Sequence, residues 1–129
     1  MDRSSVISLP ELGDLIVFDV YEFYDEPILF AASNERGQMF LGLLVQNDVA
    51  IKRWIYAPLT SIDILGLKEG WKDTYTVFRK PEGGRVFEAT IYKDGEPPNG
   101  AWINSGDLSD SDLPTPGTFL DSGGFWRES

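Results

Sequence analysis

Side chains suited to acid–base or nucleophilic chemistry are few in this sequence. It contains no histidine and no cysteine, so the commonest proton shuttles and the thiolate nucleophiles and metal ligands are missing. Carboxylates, hydroxyls, lysines and arginines remain. Asp19 and Glu88 each lie beside aromatic residues in strand-like segments. Because two carboxylates about 5–10 Å apart in a cleft can hydrolyse a glycoside, a hydrolase using Asp19, Glu88 or the Asp107–Asp112 loop is one hypothesis.

The Asp107–Asp112 loop also offers three carboxylates, the ligand type that calcium prefers. It lacks the glycine and the terminal glutamate of the EF-hand loop, so we predict no metal site. The motifs S-x-x-K and G-x-S-x-G, the Walker loop and the dinucleotide fingerprint are also missing. We therefore predict no catalytic residues, no cofactor and no enzymatic activity.

Binding residues are more evident than catalytic ones. The segment 19–26 interleaves four acidic residues with three aromatic residues, and tyrosines flanked by carboxylates are typical of surfaces that attract basic partners. The segment 123–126, Gly-Gly-Phe-Trp, resembles a docking peptide. The alternatives are an ordinary strand end with exposed acids, and a tail whose aromatic residues cover the core. The predicted partner-binding residues are Asp19, Tyr21, Glu22, Tyr24, Asp25, Glu26, Phe125 and Trp126.

The formal charge of −10 is unevenly distributed. Residues 1–50 carry a charge of −7, residues 51–100 carry +1 and residues 101–129 carry −4. An acidic surface disfavours nucleic acid and anionic membranes, and it attracts basic proteins. We therefore predict a protein partner with a basic surface, no direct nucleic-acid binding and no membrane association. Solubility alone is the simpler explanation of the charge, and the oligomeric state is left open.

Six strands and one or two helices must position these residues. β-branched and aromatic content predicts strands over 15–24, 28–33, 38–46, 51–56 and 85–92, and a short strand over 101–104. In the first strand, Ile16, Phe18 and Val20 are expected on one face, opposite Asp19 and Tyr21. The third strand is apolar on both faces, which is typical of a central strand.

Helical signals follow Pro58. Thr60 or Ser61 can cap a helix that runs to about Lys68, with Gly70 as its stop. Residues 71–78 favour a second short helix or irregular structure. The predicted fold class is α+β, an antiparallel β-meander of about five to six strands with one or two short helices on one face.

A single domain over residues 1–104 is predicted, followed by an acidic Ser/Gly/Pro-rich tail over 105–129 that is irregular and partly ordered. The N-terminus lacks the basic and apolar regions of a secretory signal, and no apolar run approaches the ~20 residues of a membrane-spanning helix. Together with the lack of cysteine, this predicts a cytoplasmic protein.

The segments Leu12–Leu15, Val20–Phe30, Trp54–Leu59 and Val86–Thr90 carry a likeness to known sequences. They resemble an uncharacterised family of small acidic bacterial proteins, in which an L-G-D-L…V-Y-E-Y-Y-D-x-P-x-L-F hairpin precedes a W-L-Y-x-P segment and a helix. The likeness covers residues 12–92 and leaves the tail outside. It implies a bacterial or phage origin and no established activity.

The leading hypothesis is a non-enzymatic protein-binding module of the immunity, antitoxin or anti-defence type. The first alternative is an accessory or structural subunit of a bacterial defence complex, and the second is the carboxylate-based hydrolase. The acidic residues of the first hairpin are the expected point of contact with the partner.

Overall fold

The chain folds into seven β-strands and two α-helices in a computed structural model that describes residues 6–23 and 27–114. The strands are β1 (Val6–Leu9), β2 (Gly13–Phe23), β3 (Pro27–Ser33), β4 (Met39–Asn47), β5 (Ile51–Leu59), β6 (Arg85–Tyr92) and β7 (Asn99–Asn104). The helices are α1 (Ser61–Glu69) and α2 (Thr74–Arg79). Short 3-10 turns lie at Glu82–Gly84, Ser105–Asp107 and Asp110–Asp112.

Each strand pairs antiparallel with the next one along the chain, which gives one sheet in the order β1 to β7. The predicted meander is confirmed, but it has seven strands instead of five or six. The additional strand is β1, which lies ahead of the first strand that the sequence predicts. Its pairing with β2, from Val6 opposite Ile16 to Leu9 opposite Gly13, is a tertiary contact that the short sequence of β1 does not reveal.

The sheet buries both of its faces. One apolar cluster, here called the interior cluster, is built from strands and from the turn between β1 and β2; the other, the outer cluster, also receives Leu67, Val77 and Phe78 from the helices. No described helical residue covers the interior cluster, so the sheet curls around it as a nearly closed barrel. The buried members of the interior cluster are Leu9, Leu12, Leu15, Phe30, Ala32, Phe40, Trp54, Tyr56, Phe87 and Ala89.

Strand β4 lies at the centre of the sheet and contributes to both clusters, as its doubly apolar sequence predicts. Phe40 and Leu44 belong to the interior cluster, while Leu41 and Leu43 belong to the outer one. Gly42 pairs with Phe30 on one side and Tyr56 on the other. The rings of these two neighbours meet edge-on across the glycine, with their centroids 6.1 Å apart.

Local sequence signals determine the helices. The Thr60 hydroxyl accepts a hydrogen bond from the Asp63 amide, and the Asp63 carboxylate accepts one from the Thr60 amide. This capping box fixes the start of α1, and Gly70 ends the helix at φ 82°. The second predicted helix is also confirmed. Helix α2 begins after Asp73, whose carboxylate accepts a hydrogen bond from the Thr76 amide. Both helices lie on the outer face, as predicted.

Residues 105–114, here called the C-terminal strap, pack on the outer cluster through Leu108 and Leu113, each 8% exposed. Arg79 donates to the carbonyls of Ser105 and Leu108 and pairs with Asp110. The strap therefore continues the packed structure past the predicted boundary at residue 104. The rest of the predicted tail lies outside the described residues. Within the described part of the chain, no helix has the length and apolarity needed to cross a membrane.

Candidate functional site

The acidic–aromatic segment predicted to bind a partner begins in β2, and its last three residues, 24–26, lie outside the described part of the chain. Three register shifts interrupt the pairing of β2 with β3, between Val17 and Asp19, between Val20 and Glu22, and between Glu22 and Phe23. Val17 and Val20 both contact the interior cluster although they are three positions apart, which shows that one extra residue shifts the alternation of the strand. The prediction that Val20 shares a face with Ile16 and Phe18 is therefore wrong, whereas Asp19 and Tyr21 lie together as predicted.

Tyr21 is a core residue and not a surface contact. Its side chain is 1% exposed and packs in the outer cluster, while its hydroxyl donates to the half-buried Asp19 carboxylate over 3.3 Å. Burial raises the pKa of Tyr21 strongly, and the adjacent charge and hydrogen bond of Asp19 act in the same direction. Tyr21 is thus unavailable to a partner, which corrects its predicted role.

The other predicted partner-binding residues are placed only in part. Glu22 lies in β2 opposite Leu29 of β3. Tyr24, Asp25, Glu26, Phe125 and Trp126 lie outside the described residues. Of the predicted set, Asp19 and Tyr21 therefore lie side by side. A role of residues 24–26 and of the tail in partner binding stays a prediction.

Two apolar side chains of β2 take the surface position that was expected of Tyr21. Ile16 is 48% exposed and Phe18 is 45% exposed, although both were expected to share a face with Val20, which contacts the interior cluster. Exposed Asp14 precedes them, and its carboxylate accepts a hydrogen bond from Ser8 Oγ over 2.6 Å. We call Asp14, Ile16, Phe18 and Asp19 the β2 face. It combines apolar area with negative charge.

Sequence reasoning missed Ile16 and Phe18 because an unbroken alternation was assumed. The segment 15–18, Leu-Ile-Val-Phe, carries a signal for exposed apolar residues. Successive side chains of a strand point to opposite faces of the sheet, so four consecutive apolar residues cannot all lie on the same buried face. Leu15 and Val17 turn to the interior cluster and Ile16 and Phe18 to the surface, and the register shift after Val17 then places Val20 with Val17.

The carboxylates proposed for catalysis are separated and engaged elsewhere. Asp19 lies on β2 and Glu88 on β6, with three strands between them in the sheet order. Glu88 accepts from Arg53 over 2.7 Å, and Arg53 also donates to Asp112 over 3.0 Å. Although burial alone would lower the pKa of Arg53, these two carboxylates raise it. Glu88 and Asp112 are thus bridged by one arginine.

The Asp107–Asp112 loop is likewise tied to the fold. Asp110 pairs with Arg79 and accepts from the Tyr75 hydroxyl, while Asp112 belongs to the Arg53 pair. Among the residues that the structure describes, no group of three or more acidic side chains has the arrangement of a metal site.

A second exposed apolar area lies on α1 and the loop after it. Ile62 is 66% exposed, Leu65 49% and Trp71 56%. The Trp71 ring rests on Gly66, where an added methyl group would approach the ring to 3.0 Å. A shallow depression of about 420 Å³ next to it is lined by Trp71, Lys72, Asp73 and Thr76. Lys72 pairs with Asp63 over 2.5 Å, so this area lacks the acidic excess of the β2 face.

The fold and the site together define a small, curved antiparallel sheet whose second strand, β2, carries an acidic and partly apolar exposed face. The chain belongs to the family of unknown function DUF6575, whose model matches residues 4–126. This match confirms the expected membership of an uncharacterised family, and it extends beyond the resemblance over residues 12–92 into the tail. No curated protein and no solved structure matches the chain.

Proposed function

We propose that this protein is a non-enzymatic protein-binding module that engages a basic partner through the β2 face. The exposure of Ile16 and Phe18 between Asp14 and Asp19 carries the proposal. A partner can bury the apolar surface of these two large side chains, and the flanking carboxylates favour a partner of opposite charge.

The distribution of charge supports a basic partner. Residues 1–50, which include the β2 face, hold nine acidic and two basic residues. Three of the described cations, Arg53, Lys72 and Arg79, are committed to carboxylates within the fold. Few basic side chains therefore compensate the negative charge of residues 1–50. Electrostatic steering would speed the association of a basic protein with this part of the chain.

A binding role also accounts better than hydrolysis for the carboxylates. Glu88, Asp110 and Asp112 each contact an arginine that ties them to the fold, whereas a general acid requires a carboxyl group held in a cleft next to the substrate. Glu88 and Asp112, the two carboxylates of the hydrolase hypothesis that do lie together, are bridged by the Arg53 guanidinium.

We further propose the biological class of this module. Small size, strong acidity and the lack of histidine and cysteine suit a cytoplasmic immunity, antitoxin or anti-defence factor of bacterial or phage origin that covers a basic surface of its target. The alternative within the same class is an accessory subunit of a bacterial defence complex.

The test is partner capture with two matched pairs of variants. Affinity purification from the native host, read by quantitative mass spectrometry, identifies the partner with the wild-type protein. An Ile16→Thr/Phe18→Ser double variant is expected to lose it, because the apolar contact is removed from an exposed position. A Val49→Ser variant, altered at a turn residue that is 96% exposed, should retain the partner.

Charge is tested separately on the purified pair. Reversal of Asp19, Glu22, Asp25 and Glu26 to lysine should slow association about tenfold or more at low salt. Reversal of four exposed glutamates elsewhere changes the net charge equally and should have a smaller effect; these are Glu35, Glu69, Glu82 and Glu96. An affinity that is independent of salt, or an equal loss in both charge variants, would refute a specific acidic surface.

A further inference from the structure

No described residue pairs with the outer edge of either outermost strand of the sheet. Within the described chain, β1 pairs only with β2 and β7 only with β6. The sequences of β1, Val-Ile-Ser-Leu, and of β7, Asn-Gly-Ala-Trp-Ile-Asn, contain no charged residue and no proline. Proteins usually protect a free strand edge with such residues, because an open row of amides and carbonyls recruits other strands. The composition of these two strands is typical of strands that are hydrogen-bonded to a neighbour on both sides.

Both edges border the same opening. Ile7 and Leu9 of β1 and Trp102 of β7 contact the interior cluster, so each edge strand helps to close the barrel from its own side. The barrel is nearly closed, and the opening therefore lies between β1 and β7. A segment entering it would reach main-chain groups that pair with no other described strand on two sides, and apolar side chains of the interior cluster below.

The strand directions specify how such a segment would run. Six successive antiparallel pairings place β1 and β7 in the same direction. One additional strand antiparallel to both would complete an alternating barrel of eight strands, a size at which side chains fill the interior. A single extended segment that pairs with both edges would therefore have to run antiparallel to β1 and β7.

We propose that this opening binds an extended segment of the basic partner as an eighth strand, by β-strand addition to β1 and β7. The proposal rests on the proposed function and adds the mode of binding. Alternate apolar side chains of the segment would face the interior cluster. Basic side chains would face outwards, where Asp14 of the β2 face lies one strand beyond the opening, opposite Ser8 of β1.

Hydrogen exchange measured by NMR on the full chain tests the geometry with a defined probe. The probe is a synthetic peptide of about nine residues in which lysine and valine alternate. At saturation we expect exchange of the gap-facing amides of β1 and β7, every second residue, to slow about tenfold or more. The control peptides are one with the same composition in blocks of two and one that alternates glutamate and valine.

Substitution of Ala101 provides the matched variants. This residue is exposed on the outer face of β7, and in the bound state its side chain would neighbour the outward lysines of the probe. Ala101→Glu should tighten binding of the lysine–valine peptide, and Ala101→Lys should weaken it, each by about two- to fivefold. The same charges placed at Val49 should have no effect.

Several outcomes would overturn the proposal. One is that the alternating peptide protects no edge amides, or no more than the block peptide does. Another is that the edge amides of the free chain are already slow and become fast when the chain is truncated after Pro114, which would make the chain's own C-terminal segment the occupant. Protection that grows with protein concentration would indicate a second copy. If Ile16 and Phe18 still determine partner capture in these cases, the proposed function stands without strand addition.

Discussion

A methyl group added at Gly42 tests the packing of the interior cluster. An alanine Cβ at this position would lie 2.8 Å from Cζ of Phe30 and 2.8 Å from Cε1 of Tyr56. Carbon atoms in contact normally stay about 3.5–4.0 Å apart, so each ring would have to move by about 1 Å. Both rings are about 1% exposed and cannot turn towards solvent.

The expected cost follows from these contacts. Overpacking of a rigid core typically costs about 1–3 kcal/mol, and two simultaneous ring contacts place Gly42→Ala near the upper end. Replacing glycine returns about 0.4–1 kcal/mol by restricting the unfolded chain. We therefore expect a net loss of about 2 kcal/mol in the free energy of unfolding, and a decrease in Tm of roughly 8 °C for a chain of this size.

Urea unfolding and calorimetry measure this change, with Gly106→Ala as the matched control. Gly106 has no atom within 4 Å of its added methyl group, and its backbone does not require glycine, so this variant should be neutral or slightly more stable. Phe30→Leu shortens one of the two rings and should make the Gly42 substitution less costly in a double-mutant cycle. If Gly42→Ala stays within about 0.5 kcal/mol of the wild type, the rings do not pack as described.

Three further variants probe the outer face. Burial alone would raise the pKa of Asp63, but the hydrogen bonds from Lys72 and the helix cap lower it below 3.8; Asp63→Asn should therefore cost about 1 kcal/mol at neutral pH, a difference that vanishes as pH falls through the lowered pKa of the folded state. Arg53→Met should lower stability by about 1–2 kcal/mol in urea unfolding because two partly buried carboxylates lose their partner, whereas Lys93→Met at an exposed position should not. Trp71→Phe should remove an acrylamide-quenchable component of the tryptophan fluorescence, and unchanged quenching would contradict its exposure of 56%.

The elements that could be predicted are those with signals confined to a few neighbouring residues. Thr60 and Gly70 flank α1 because capping depends on the adjacent backbone, and the apolar run of β4 indicates a strand covered on both faces. Strand β1 could not be predicted, since four residues carry too little pattern and its stability comes from pairing with β2.

The candidate site shows the same limit. The acidic character of the first hairpin is a property of composition and is visible in the sequence. Which aromatic residue reaches the surface depends on the bulge after Val17, a property of pairing with β3. The prediction therefore selected Tyr21, which is buried, and passed over Phe18, which is exposed.

The C-terminal strap has a consequence for how the chain is made. In the sheet, every strand pairs with its immediate predecessor, so the meander can grow hairpin by hairpin as the ribosome extends the chain. Leu108 and Leu113 emerge after all seven strands and complete the outer cluster only then. Until these two leucines have been synthesised, the nascent chain exposes apolar surface of the outer cluster. During that time it is most open to aggregation and to chaperone binding.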